Sequence, residues 1–407
     1  MRAPITVIGI GDDGLAGLSA AARAVLDQAT VLAGAKRHLA MLAADDTRQR
    51  IAWGKDLAQD IDKLATLREH ETICVLASGD PLLHGIAVKM IKQLGADAVA
   101  VLPSPSAFSL AASRMGWALS DPMLSCLSVH AEPFAALRRV IQPNVRLLIL
   151  SRDGTTPQAI AATLADMGYP DSPVTVLEHI GGAGEKRTDA IASAGFKGTF
   201  ANLNTVCVDV VAGGEAQALS LAPGLADDAF DHDGTITKRD VRAVTLAALG
   251  PMPGDVLWDI GAGSGTIAVE WLRVEPRARA IAFEHDAARL AAIRKNADAL
   301  GVPALEIVAG TFPTSVPEDC AAPDAIFIGG GIAGDKDVLV AAYEALKPGG
   351  RLVANAVTLQ AQAHLMTAEN ILGGELVSIG IATSAKVGAL TTMKPAINVL
   401  QWRMSKS

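Results

Sequence analysis

Short β-branched runs that stop at glycine and give way to longer Ala/Leu-rich stretches recur along this 407-residue chain. That alternation constrains the fold more than any other feature, because strands separated by helical stretches pair in parallel through βα units. The class expected is α/β. Strands are expected at residues 5–10, 72–77, 98–102, 145–150, 174–177 and 205–211. In the second half they are expected at 255–260, 278–283, 305–308, 325–328 and 351–354, with more sheet near the C-terminus. At roughly 150 residues per domain, the length implies two or three domains.

Between residues 213 and 234 the apolar periodicity fails and GGEAQALSLAPGLADDAFDHDG collects Gly, Pro and acids. The boundary expected there gives a domain over 1–213, a linker over 214–234 and a domain over 235–407. A helix is expected just beyond: Thr237 and Asp240 have capping-box spacing, Val241, Val244, Thr245 and Ala248 keep helical period, and Gly250 stops it.

Hydrophobic residues make up 50% of the chain and charged residues 19%, enough apolar material for more than one core. Lys plus Arg number 35 against 43 acids; residues 1–230 divide 19 to 24 and residues 231–407 divide 16 to 19. Neither half has the basic excess of a nucleic-acid binder. Cys74, Cys126, Cys207 and Cys320 lie far apart with no paired spacing, which points to a reducing compartment and no zinc knuckle. The opening MRAPITVIGIGDD lacks a long apolar run before Asp12 and Asp13, and no uncharged run spans a bilayer. A cytoplasmic location, no membrane partner and no bound metal are expected.

Two glycine turns carry the chemistry. In VIGIGDDGLAGL, Gly9, Gly11 and Gly14 have GxGxxG spacing after a strand, but Asp12 and Asp13 would oppose a pyrophosphate at the helix start. The next strand candidate reads TVLAGAKRHL and has no ribose-binding acid. An NAD-dependent dehydrogenase is therefore the weaker reading of this turn. In DVLWDIGAGSGTIAVEW, Asp259 ends a strand, Gly261, Gly263 and Gly265 follow, and Glu284 closes the next strand. The tight loop, with Ala262 and Ser264 between its glycines, lets backbone approach a ligand closely. An acid near it suits an ammonium and a sulfonium, and a second acid suits ribose hydroxyls. The ligand this set fits is S-adenosylmethionine.

These residues resemble known families. Asp259 to Gly265, Glu284, AGTFP, AIFIGGG and LKPGGRLV look like class I methyltransferase motifs in order, and with TKRDVRAVTLAAL they resemble the decarboxylating methyltransferase of cobalamin biosynthesis. The first half, with VIGIGDDG, ASGDPLLHG, PSPSAFSLAASRMG, LSVHAEP and VLEHIGGAGEKR, is similar to the class III tetrapyrrole methyltransferases. The order of the halves resembles the fused, decarboxylating precorrin-6B (precorrin-6Y) C5,15-methyltransferase family, over nearly the whole chain.

The resemblance implies a two-subdomain tetrapyrrole methyltransferase fold followed by a Rossmann-like class I fold, with one S-adenosylmethionine site in each. It implies that Gly9 and Gly11, Ser78, Gly79, Asp80 and Leu83, and Ser104, Ser106 and Ala107 line the first site. Thr237, Asp259, Gly261, Ala262, Gly263, Ser264, Gly265, Glu284, Gly310, Thr311 and Phe312 would line the second, with Phe312 a candidate adenine contact. His130, Lys238, Arg239, Arg242, Gly329 and Gly330 are candidate contacts to a polycarboxylate macrocycle; the exposed cations would anchor its carboxylates. A methyl transfer needs alignment and no covalent nucleophile. The implied activity is methylation of metal-free precorrin-6B at C5 by the first half and at C15 by the second, with loss of the ring-C acetate carboxyl to give precorrin-8. A homo-oligomer is expected, and a different tetrapyrrole acceptor is the alternative.

Overall fold

The computed structural model describes residues 3–214, 216, 218–331 and 337–407, so Glu215 and Gln217 of the 214–234 segment lie outside the described residues. The chain forms two compact units, residues 1–132 with 141–217, and residues 133–140 with 218–407.

In the first unit, β1 (Ile5–Ile10), β2 (Val31–Gly34), β3 (Gln49–Ala52), β4 (Ile73–Ser78) and β5 (Val99–Leu102) form a parallel sheet in the order β3-β2-β4-β1-β5. Ile5, Val7, Ile8 and Ile10 are buried on both faces of β1, as a sheet covered by helices on two sides requires. The second sheet runs β6-β7-β10-β8-β9, from β6 (Leu124–Ser128), β7 (Arg146–Leu150), β8 (Pro173–Glu178), β9 (Lys186–Ile191) and β10 (Asn204–Asp209). Only the β6–β7 pair is parallel. The α/β class holds, with this largely antiparallel sheet beside the βα units.

In the second unit, β11 (Val256–Ile260), β12 (Arg279–Glu284), β13 (Glu306–Ala309), β14 (Ala325–Ile328) and β15 (Arg351–Ala356) run parallel in the order β13-β12-β11-β14-β15. The sheet is extended by β19 (Val399–Ser405), antiparallel to β15, and then by β16 (Glu375–Ile379). A hairpin, β17 (Ala382–Val387) with β18 (Leu390–Pro395), stands apart from the main sheet. Apolar clusters cover both sheet faces, one centred on Leu257, Trp271 and Phe327 and the other on Trp258, Phe283 and Trp402.

Residues 218–231 have the composition of a linker yet form a strap on the second unit. Leu225 and Phe230 are buried in its core. The Glu270 carboxylate accepts the N–H groups of Gly224 at 2.6 Å and Leu225 at 3.0 Å, and Arg273 Nη2 donates to the carbonyls of Leu219 at 3.0 Å and Ser220 at 3.2 Å. Buried side chains thus satisfy backbone groups that have no regular structure to bond with. Among the described residues no helix is long and apolar enough to cross a membrane, and no cluster of three His, Cys, Asp or Glu side chains could hold a metal ion.

Candidate functional site

Strand order places both glycine turns. In the second unit β11 leads to β12 on one side while β14 lies on the other, so the crevice at the carboxyl ends of β11 and β14 is a topological switch point, where open parallel sheets bind ligands. Gly261, Gly263 and Gly265 all have positive φ, at 68°, 58° and 74°. The amides of Gly261 and Ala262 both donate to the Phe283 carbonyl at 3.1 Å, and Gly265 N–H donates to Ala262 O at 2.8 Å. A side chain at Gly261 would press on Gly330 at 3.2 Å, and one at Gly329 would lie 2.8 Å from the Phe327 ring. Two backbones therefore meet at the crevice without side chains between them.

Asp259 is 1% exposed; its Oδ2 accepts the Ala268 N–H at 3.1 Å, and its Oδ1 has no partner. Burial is the main force raising its pKa, to about 7, helped by the Glu284 charge and opposed by the Ala268 bond. Glu284, also buried, binds backbone with both oxygens. Oε2 accepts from Gly263 at 2.9 Å, and Oε1 from His285 at 2.9 Å and Asp286 at 3.0 Å. It holds the glycine loop and leaves Oε2 one lone pair for a ligand hydroxyl. Gly310 N–H donates to Glu284 O at 2.8 Å, and Thr311 N–H to Ser315 Oγ at 3.1 Å, so this turn joins the same crevice.

In the first unit the carboxyl ends of β4, β1 and β5 lie side by side. Gly9 is inside β1, where a side chain would overlap the Gly79 carbonyl and stand 2.5 Å from Ser104 N. Ser104 N–H donates to Gly79 O at 3.2 Å, Asp80 Oδ1 accepts from Leu82 at 2.9 Å, and Leu83 N–H bonds Asp80 O at 3.1 Å, with the Leu83 side chain half-exposed. Ser106 caps helix Ala107–Met115, its Oγ accepting from Ser109 at 3.1 Å. Ser78 Oγ accepts from Arg37 and lies 3.2 Å from His38 Nε2, whose pKa burial and the Arg37 charge push down to about 4. Asp12 pairs within the protein: its Oδ2 lies 3.0 Å from His179 Nδ1, linking the first loop to the turn after β8. Asp13 folds back, its carboxylate filling the space beside Gly11 and Gly17. His130 is exposed two residues beyond β6.

Two domain families match this chain. Residues 4–193 fit the tetrapyrrole (corrin/porphyrin) methylases and residues 228–406 the precorrin methyltransferase domain. A precorrin-6Y C(5,15)-methyltransferase [decarboxylating] from Sinorhizobium sp is 44% identical over 403 residues, 99% of this chain and 96% of that one. The chain belongs to the precorrin-6Y C(5,15)-methyltransferase family. Shorter relatives carry single activities in their names. One from Saccharolobus solfataricus, named for cobalt-precorrin-6B C(15)-methylation with decarboxylation, is 32% identical over 42% of this chain and 89% of its own length. A cobalt-precorrin-7 C(5)-methyltransferase from Salmonella typhimurium is 30% identical over 43% of this chain and 85% of its own. This methyltransferase membership removes the dehydrogenase reading of the first glycine turn, and S-adenosylmethionine is the methyl donor such a family implies.

The methyltransferase's geometry corrects three residues. Thr237 does not cap the helix that follows. The helix is Arg239–Leu249 with Lys238 at its N-cap, and its first amide, Arg239 N–H, donates to Asp227 at 3.0 Å, so the strap supplies the cap. Arg242 is not an exposed anchor but fully buried, paired with Glu270 at 2.7 Å and Asp227 at 3.2 Å and donating to the carbonyls of Leu225 and Thr237. Phe312 is 5% exposed and packs edge-on to Trp258 and Phe283 at 6.0 and 5.9 Å between centroids, so its ring belongs to the core. Lys238 is exposed beside Asp227 at 3.4 Å, and Arg239 is exposed. Sequence reasoning missed Glu270 and Asn296. The available signal was a polar residue on a buried helix stripe: Glu270 within TIAVEWLRV, Asn296 beside Ile293 and Ala297.

Proposed function

We propose that this enzyme methylates precorrin-6B at C5 and C15 and removes the ring-C acetate carboxyl as CO2, giving precorrin-8, with one S-adenosylmethionine site in each unit. The observation that carries the reading is Asp259 Oδ1, a buried carboxylate oxygen without a partner beneath a glycine loop. A ligand bearing a positive centre supplies the missing partner and returns the group to its charged form.

S-adenosylmethionine supplies an activated methyl group: the S–CH3 bond breaks as the C–CH3 bond forms, and the ring gives up a proton. The backbone of residues 261–265 and Glu284 Oε2 would hold the amino-acid and ribose parts in the second unit, with Thr311 at the adenine end. Gly329 and Gly330 leave a floor without side chains over which a flat macrocycle can approach the loop. Exposed Lys238 and Arg239 would receive its carboxylates. In decarboxylation the electron pair of the broken C–C bond enters the conjugated ring and the side-chain carbon then takes up a proton to become a methyl group, so the protein would orient and desolvate the carboxylate. The first unit would carry C5 methylation with Gly9, Gly11, Ser78, Gly79, Asp80, Leu83, Ser104, Ser106 and Ala107 around the donor and His130 toward the ring. The second unit would carry C15 methylation and decarboxylation.

Self-association fits the β17–β18 hairpin, which exposes Val387, Leu390 and Met393. A cytoplasmic location fits four free cysteines. The test is incubation of the full chain with precorrin-6B and S-adenosylmethionine labelled in its methyl group. Two labelled methyl groups and one CO2 per macrocycle are expected; one methyl group without CO2 would overturn the assignment.

A further inference from the structure

The strap and the glycine loop share one side chain. Asn296, on helix Ala287–Ala299, is 2% exposed and uses its whole amide within the second unit. Its Oδ1 accepts the Asp231 N–H at 2.8 Å, while Nδ2 donates to the Asp231 carbonyl at 3.0 Å and the Ser264 carbonyl at 2.9 Å. Ser264 stands between Gly263 and Gly265, whose left-handed backbones leave the loop little intrinsic rigidity. Glu284 holds the loop at Gly263, and Ile293, one turn before Asn296, lies 3.0 Å from where a Gly265 side chain would begin. Asn296 adds a polar clamp at Ser264 to those at Gly263 and at the Gly261 and Ala262 amides, and its other two bonds tie it to Asp231 of the strap. Lys295 Nζ pairs with Asp231 Oδ2 at 2.7 Å, so the end of the strap is also clipped to this helix from outside, and Arg289 pairs with Asp233 just beyond it at 2.8 Å.

We infer that Asn296 is a positioning residue for methyl-donor binding in the second unit, and that the strap is part of that binding site. The inference rests on the reading that the glycine loop binds S-adenosylmethionine. An amide with three bonds fixes the Ser264 carbonyl, and with it the Gly265 amide of the same peptide plane, before ligand arrives. Preorganisation of this kind sets affinity rather than chemistry.

The test titrates the full chain with S-adenosylhomocysteine and follows hydrogen exchange by mass spectrometry. The concentration giving half-protection is read separately for peptides covering residues 259–268 and 78–110. In Asn296→Ala the midpoint for 259–268 rises about tenfold, as loss of hydrogen bonds to a loop would give, while that for 78–110 stays put. The milder Asn296→Ser gives a smaller rise if the alanine variant folds poorly. Lys386→Ala, an exposed residue of the β17–β18 hairpin that bonds only Thr391, leaves both midpoints within about twofold. If Asn296→Ala leaves the 259–268 midpoint unchanged while Asp259→Asn raises it, Asn296 only supports the fold and the inference fails. If neither substitution moves it, the glycine loop is not the donor site and the underlying reading fails with it.

Discussion

The two units use the same sequence device, a strand running into glycines, for different physical ends. In the first, Gly9 lies inside β1 and its missing side chain lets three backbones, at Gly9, Gly79 and Ser104, close together. The nearby acids are consumed internally, Asp12 by His179 and Asp13 by the space beside Gly11 and Gly17. In the second, the glycines lie beyond β11 with left-handed backbones, and the acid beneath them, Asp259, keeps one oxygen unpartnered. Glycine spacing alone therefore does not say how the glycines act: in the first turn they let backbones close together, and in the second they lie above a buried carboxylate oxygen with no protein partner.

The sharpest way to break this contrast is Gly9→Ala. The added methyl overlaps backbone that cannot rotate away, and overpacking there should cost about 3 kcal/mol or more, measured by denaturant unfolding of the first unit's transition. Asp259→Asn should act in two opposite directions. Donor affinity in the second unit should fall about tenfold or more, while the unliganded protein should gain stability. The sign follows from burial: with its pKa raised from 3.8 to about 7, Asp259 favours the unfolded state increasingly as pH rises from about 4 to about 7. The melting-temperature advantage of the asparagine variant should widen across that window and level off above it. Donor affinity of the unaltered protein should rise with pH through about 7, a dependence absent from the variant.

Gly263→Ala should cost less than Gly9→Ala, about 1 kcal/mol, because nothing stands near the added methyl and only the left-handed backbone resists it. An equal or larger loss than at Gly9 would erase the distinction between the turns. The smallest effect belongs to Asp12→Asn. The pair with His179 is partly solvent-exposed, so its loss should change stability by less than about 1 kcal/mol in the same unfolding measurement.

Much of the second unit was legible because its signals are local: β11, its three glycines and Glu284 follow from order and spacing. Arg242 was not, because periodicity places a cation on a helix flank while its burial depends on Glu270 and Asp227, 28 and 15 residues away. The same Asp227 takes the capping role that spacing assigned to Thr237. Phe312 reads as a candidate adenine contact in a loop until Trp258 and Phe283 close over it. The strap escaped notice since its order comes from Glu270, Arg273 and Asn296 bonding to backbone, which leaves no periodic trace in its own residues. In the first unit the antiparallel second sheet was hidden in part by its polar edge: β9 reads KRTDAI and is largely exposed, without the apolar run that marks a strand.

The central claim is that the two glycine turns, unlike as they are, each serve a methyl-donor site. Equilibrium dialysis of the full chain against labelled S-adenosylhomocysteine tests it directly. The account predicts saturation at two molecules per chain, falling to one in Asp259→Asn at concentrations that still fill the first unit. Saturation at one molecule per chain in the unaltered protein would contradict it.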